Sequence, residues 1–221
     1  MLSGLFITGT DTNVGKTVAA AALLQRFRGG PRPRYWKPIQ TGIEQDDDTA
    51  EVQRLAGASA HEVLSRGIRL PRPVSPHLAA RWSGQAIDLR ALASLVSSEL
   101  GLEPWIVEGA GGVLAPINEL ELMADLIVLL KLPALVVART TLGTINHTLL
   151  SLEALRARSI VVAGVLLIGN SNADNRKAIE HYGRVRVVAE MPHFPHLSPD
   201  ELARWSIAEL DPQGYLLEFL K

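Results

Sequence analysis

Gly9-Thr10-Asp11-Thr12-Asn13-Val14-Gly15-Lys16-Thr17 lies between the apolar run Leu5-Phe6-Ile7 and the small-residue run Val18 to Leu24. A strand that stops at a glycine-containing turn and resumes as a helix opening on Lys-Thr is the sequence form of a phosphate-binding loop. Backbone N–H groups line such a turn, and the helix N-terminus adds its positive end. The spacing predicts that Lys16 meets the β- and γ-phosphates of a nucleotide and that the Thr17 hydroxyl holds Mg2+. The usual pattern is G-x-x-x-x-G-K-[ST]. Here Thr10 occupies the first glycine position and the glycine stands one residue earlier, at Gly9.

The chain has 221 residues, 47% of them hydrophobic, enough to bury a large core as one α/β domain spanning 1–221. A net charge of -1 leaves no basic field for nucleic acid or an anionic membrane surface, so small-molecule partners are favoured over both. The absence of cysteine excludes disulfides, thiol catalysis and thiolate metal sites. No basic segment precedes the first apolar run, and the longest apolar region, 122–138, is interrupted by Asp125, Lys131 and Pro133. A cytoplasmic protein is expected. Of 22 basic residues only five are lysines, Lys16, Lys37, Lys131, Lys177 and Lys221. A chain that prefers arginine keeps lysine at 16 and 37, where a compact, rotatable ammonium does what a planar fork cannot.

Beyond the first helix, which the pattern carries to about Arg28, a Gly/Pro-rich loop leads to a short strand at Tyr35-Trp36-Lys37 and a loop at Pro38 to Gly42. In a parallel sheet the C-terminal strand ends form the ligand edge, so Lys37 and Thr41 point to the side of the phosphate loop. Asp46-Asp47-Asp48 is followed by a helix from Thr49 to Ala56. Acids there complement the helix dipole without any function, yet Asp48 is also a candidate for nucleotide-bound Mg2+. The segment from Ala60 to Leu70 is irregular, Ser75-Pro76 caps a short helix that includes His77, and Leu89 to Leu100 is amphipathic. Trp105 to Val107 forms an apolar strand that delivers Glu108, a second candidate for Mg2+, into a glycine-rich turn. A helix over 122–130, a buried strand over 134–138 and the loop TTLGTINH, 140–147, follow; Gly143 and the N–H groups opening the next helix suit an anion such as a carboxylate. Asn170 and Asn172 close the strand 160–168, either to read a nucleobase edge or simply to form the turn. A helix over 173–182 and a last strand over 185–189 come next. His193 and His196 have no third ligand nearby and read as loop. Ser198-Pro199-Asp200-Glu201 starts the final helix with a capping box. Strand and helix alternate throughout, which predicts a three-layer P-loop NTPase-like α/β fold, its mostly parallel central sheet flanked by helices.

GTDTNVGKT, KPIQTG, PVSPHLAA, VEGAGG and LGTINH occur in an order and at spacings that resemble the ATP-dependent dethiobiotin synthetases, over about residues 4 to 195. The resemblance implies a homodimeric Mg2+- and ATP-using ligase that closes a cyclic urea on 7,8-diaminopelargonic acid with carbon dioxide. It implies that Asp11, Thr12, Asn13, Val14, Gly15, Lys16, Thr17 and Val18 hold the nucleotide, with Asn170 on the base. Thr17, Asp48 and Glu108 are similar to that family's metal groups, and Lys16, Lys37 and Thr41 to its catalytic and carbamate contacts. Thr12, Gly111 and the segment Leu142, Gly143, Thr144, Ile145 and Asn146 resemble its substrate contacts, the last group reaching across from a partner chain. Asn13 departs from the family, many members of which have glutamate there.

Two other readings remain at this point. An amide synthetase of the cobyrinate type usually carries a glutaminase domain with a cysteine nucleophile, which this chain lacks. A nucleotide-switch ATPase of the chromosome-partition or division-site type shares the fold, but carries an extra lysine early in the loop, where Thr10-Asp11-Thr12 has none.

Overall fold

The computed structural model describes residues 2–99 and 103–221. Its central sheet has seven strands: β1 (Gly4–Gly9), β2 (Arg34–Trp36), β4 (Val63–Leu64), β6 (Trp105–Gly112), β7 (Ala134–Arg139), β8 (Val162–Ile168) and β9 (Val187–Met191). Their order is β4-β2-β6-β1-β7-β8-β9. Every described pairing is parallel, so all seven C-terminal ends share one edge. β1 lies in the middle, with Leu5 opposite Ile106 on one side and Ile7 opposite Leu135 on the other.

Residue alternation divides the core into two layers. Leu5 and Ile7 of β1, Tyr35 of β2, Ile106 of β6 and Leu135 and Val137 of β7 face the helices α1 (Lys16–Phe27), α2 (Asp48–Ala56) and α8 (Pro199–Glu209). Phe6, Trp36, Val107, Val136 and Ala138 face the opposite layer, α3 (Pro76–Trp82), α4 (Leu89–Ser97), α5 (Met123–Leu130), α6 (Thr144–Arg156) and α7 (Ala173–Gly183). Both faces are covered, as an all-parallel sheet requires. The chain after α8 returns to the α1 layer, burying Leu210, Leu216 and Leu220. Arg26 near the end of α1 donates to the carbonyls of Leu210 (2.7 Å) and Asp211 (3.1 Å).

Several local expectations are corrected. Ile39–Thr41 is strand β3, not loop; it pairs in parallel with β5 (Ile68–Leu70), inside the segment that reads as irregular. Gly109 to Gly112 continues β6 rather than turning, and at Gly109 the strand passes so close to the Phe6 ring that a Cβ would stand 2.8 Å from it. α4 begins on the Asp88 cap and ends at Ser97; Leu100 lies outside the described residues. Ser75 precedes Pro76 at the start of α3, but its side chain makes no capping bond. At α8 half of the capping box forms, Ser198 Oγ accepting from the Glu201 N–H at 3.2 Å.

Candidate functional site

The site grows from the end of β1. Gly15 adopts a left-handed conformation (φ 95°) that only glycine takes without strain, and it sits against Ile168 at the end of β8. Gly9 makes the tighter demand: a Cβ there would meet Val14 Cγ2 at 2.7 Å and the Asp11 carbonyl oxygen at 2.9 Å. The early glycine is therefore the one this loop needs. The Thr10 N–H donates to the Val137 carbonyl at 3.0 Å, in line with the sheet. The Lys16 ammonium folds back over the loop to donate to the Asp11 carbonyl at 2.9 Å.

Alternation then aligns the partners. Tyr35 and Lys37, two residues apart, leave β2 toward the α1 layer, as does Glu108 from β6. Lys37 Nζ donates to Glu108 Oε1 at 2.7 Å and also pairs with the Asp48 carboxylate. Thr17 Oγ1 lies 2.9 Å from Asp48 Oδ1 and 3.0 Å from Glu108 Oε1. Asp48 is set by its own helix: it is the first residue of α2, and Asp47 before it accepts from the N–H groups of Thr49 and Ala50. Glu108 is fully buried and Lys37 nearly so, an arrangement stable only because the charges are paired and hydrogen-bonded.

Electrostatics differ between the two lysines. Burial, aided by the nearby positive charge of Lys37, lowers Lys16 from 10.5 to about 8. Burial pulls Lys37 down as well, but Glu108 and Asp48 together outweigh it and hold its pKa above the ordinary lysine value. Burial would raise Asp48, and Lys37 with the Thr17 hydroxyl overcomes this and keeps the carboxyl below its usual range. The Tyr35 phenol, buried and facing Glu108, is pushed well above its ordinary value.

A cavity of about 750 Å³ opens above these groups, between the phosphate loop, β3 and the Pro73 to Pro76 turn. The volume suits a triphosphate tail together with a small substrate. The oxygens of Thr17, Asp48 and Glu108 form a hard donor set of the kind Mg2+ takes. The Thr17 oxygen is within hydrogen-bond distance of both carboxylates, 2.9 and 3.0 Å, so the three donors converge at one place on the cavity wall. The residues present fit the ion.

An AAA domain family profile matches residues 3–201. "ATP-dependent dethiobiotin synthetase BioD" of Paramagnetospirillum magneticum is 48% identical over 202 residues, covering 91% of this chain and 94% of that protein. The proteins of the same name from Brucella ovis and Agrobacterium fabrum are each 46% identical, over 91% and 89% of this chain. This chain belongs to the ATP-dependent dethiobiotin synthetase family. The crystal structure of a ParA family ATPase from Chlorobium tepidum matches 93% of this chain and 98% of its own with a TM-score of 0.59 at 10% identity, a likeness of fold alone.

Within this synthetase the cavity is lined by Asp11, Thr12, Asn13, Gly15, Lys16, Thr17, Val18, Lys37, Thr41, Asp48, Glu108 and Gly111. Val14 turns its side chain into the core instead. Two groups of expected residues are not brought there. Asn170 is exposed at the end of β8, while Asn172 caps α7 by accepting from the Asn175 N–H. Leu142 to Asn146 lies at the start of α6 and does not line this chain's cavity; Leu142 is wholly exposed.

Sequence reading missed Tyr35, whose hydroxyl donates to Glu108 Oε2 at 2.8 Å, and Arg139, which pairs with Asp11 Oδ2 at 2.9 Å. It also passed over Gln40 and Ser75, both at the cavity wall. Arg139 had a signal, being a charge at the C-terminal end of a buried strand on the ligand edge. Tyr35 had only its place two residues before Lys37. His193 and His196 lie in the loop between β9 and α8.

Proposed function

We propose that this chain closes the ureido ring of dethiobiotin from 7,8-diaminopelargonic acid, carbon dioxide and ATP. The observation that supports this most is the convergence of Lys16, Lys37, Thr17, Asp48 and Glu108 on one cavity with no histidine or cysteine beside them. Such a site is built to hold anions together, without a covalent protein intermediate.

One amine of the diamine adds to carbon dioxide, forming a C–N bond and losing a proton to give a carbamate. A carbamate oxygen attacks the γ-phosphorus and ADP leaves. The second amine then attacks the carbonyl carbon, phosphate departs, and the five-membered urea closes. Triphosphate, carbamate and substrate carboxylate are all anionic, so fixed positive charge and oriented dipoles do most of the catalytic work. In this reading the loop from Asp11 to Val18 binds the phosphates through its N–H groups, with Lys16 on the β- and γ-oxygens. Lys37, just past β2, and Thr41, at the end of β3, both line the cavity and hold the carbamate, with Thr12 and Gly111 alongside. Mg2+ on Thr17, Asp48 and Glu108, when bound, neutralises charge that develops between the β- and γ-phosphates. Asn170 faces the base.

The start of α6 completes the site in a homodimer, where the Gly143 to Asn146 N–H groups of a second copy receive the substrate carboxylate. The full exposure of Leu142 and its separation from this chain's own cavity support that arrangement.

The reading is tested by ADP release from Mg-ATP with and without the diamine and bicarbonate. Release should require both; equal turnover without the diamine overturns the assignment. Lys37→Ala should lower diamine-dependent turnover by about 100-fold or more, and because it leaves the buried Glu108 carboxylate without its cation it should also lower the melting temperature.

A further inference from the structure

Glu108 is held from two sides. Its Oε1 accepts from Lys37 at 2.7 Å and lies 3.0 Å from Thr17 Oγ1, at the cavity. Its Oε2 turns back into the protein, where the Tyr35 hydroxyl donates to it at 2.8 Å. Among the described residues that hydroxyl is the hydrogen-bond partner of Oε2, and both side chains are fully buried. The ring is packed in the core layer beneath α1 and α2, so the hydroxyl cannot swing away.

The terminal torsion of a glutamate is broad, and its carboxylate takes many orientations unless something selects one. A buried carboxylate oxygen left without a donor also incurs the full desolvation penalty. We propose that Tyr35 is a positioning residue for the cation site, fixing the rear oxygen of Glu108 so that the front oxygen stays turned toward Thr17 and Lys37. The inference rests on the reading of Thr17, Asp48 and Glu108 as the oxygen donors for Mg2+. Hydrogen-bond partners behind a metal-binding carboxylate are typically worth about 10–100-fold in metal affinity or activity.

Trp36 supplies a control. It is the next residue on β2, points into the opposite core layer and donates through Nε1 to the Arg66 carbonyl at 2.7 Å, away from Glu108. The experiment measures Mn2+ affinity by electron paramagnetic resonance on the ADP-saturated protein, with melting temperature in parallel. Tyr35→Phe keeps the ring and should weaken Mn2+ roughly 10-fold or more. Trp36→Phe should lower the melting temperature and leave Mn2+ affinity as it is. Glu108→Gln should weaken Mn2+ strongly, and adding Tyr35→Phe to it should weaken it no further.

Native Mn2+ affinity in Tyr35→Phe overturns the proposal, as does equal weakening in Trp36→Phe or an undiminished effect of Tyr35→Phe in the Glu108→Gln background. Native affinity in Glu108→Gln overturns the underlying cation reading instead, so the two failures are distinct. If Tyr35→Phe does not fold, the unaltered protein answers by proton NMR. The Tyr35 hydroxyl proton should exchange slowly and shift when Mg2+ is added to the ADP complex; a resonance that does not respond to the ion overturns the proposal.

Discussion

An added methyl at Gly9 would stand 2.7 Å from Val14 and 2.9 Å from the Asp11 carbonyl, and the second of these is backbone that cannot step aside. Gly9→Ala is expected to distort the loop and weaken ATP by about 10-fold or more, since each 1.4 kcal/mol lost is tenfold in affinity. Thr10→Gly, which restores the common spacing, should leave affinity nearly unchanged. Titration with a fluorescent nucleotide distinguishes the two. Lys16 carries a pH signature. Its pKa in the fold, about 8, lies below the ordinary 10.5. The unfolded chain thus binds more protons than the fold between those values, and this lysine's contribution to stability rises with pH across that window. Nucleotide acts in the opposite sense, because a triphosphate favours the charged ammonium. Above pH 8 ATP binding should take up as much as about one proton and weaken as the pH rises. Calorimetry in buffers of different ionisation heat measures the uptake, and a zero result would exclude Lys16 as the responsible group.

At the scale of the element, α2 shows how a cap serves chemistry. Asp47 accepts from Thr49 and Ala50, lies 3.4 Å from Arg69 of β5, and so fixes the first turn that presents Asp48 to Thr17. Asp47→Ala should cost about 1 kcal/mol of stability, read by denaturant unfolding, and should weaken Mn2+ binding at the ADP-loaded site although residue 47 does not touch that ion's oxygens. The triple-aspartate run was legible as a helix start, because capping is local chemistry. So were α1, the apolar part of β6 and the place of Lys37 just past β2, because periodicity and edge position depend on few residues; the expected strand end at Glu108 was not, since β6 runs on to Gly112. β3 and β5 were not legible: each has three residues, Pro38 precedes one and Pro71 follows the other, and their pairing joins Ile39 to Ile68. The contacts of Tyr35 with Glu108 and of Arg139 with Asp11 span 73 and 128 residues. No window on the sequence contains both partners, and only the sheet order brings them together.

For the whole molecule, the start of α6 is not part of this chain's cavity lining; with a second copy supplying it, as proposed, assembly and catalysis should fail together. Leu142→Asp places a charge on a wholly exposed apolar side chain. In the proposed homodimer it is expected to shift sedimentation from dimer to monomer and to raise the KM for the diamine by about 10-fold or more, with nucleotide affinity kept; a dimer with normal kinetics would refute the shared site. The sheet also sets a schedule. β1, residues 4–9, is hydrogen-bonded on one side to 105–112 and on the other to 134–139. At about 5–20 residues per second of synthesis, the roughly 100 residues between β1 and β6 take about 5–20 s to emerge. During that interval the nascent chain holds a mostly apolar strand, Leu5-Phe6-Ile7 at its centre, with no neighbour on either edge, a natural target for ribosome-associated chaperones. The phosphate loop is thus translated well before both strands that flank β1, and acquires its surroundings late.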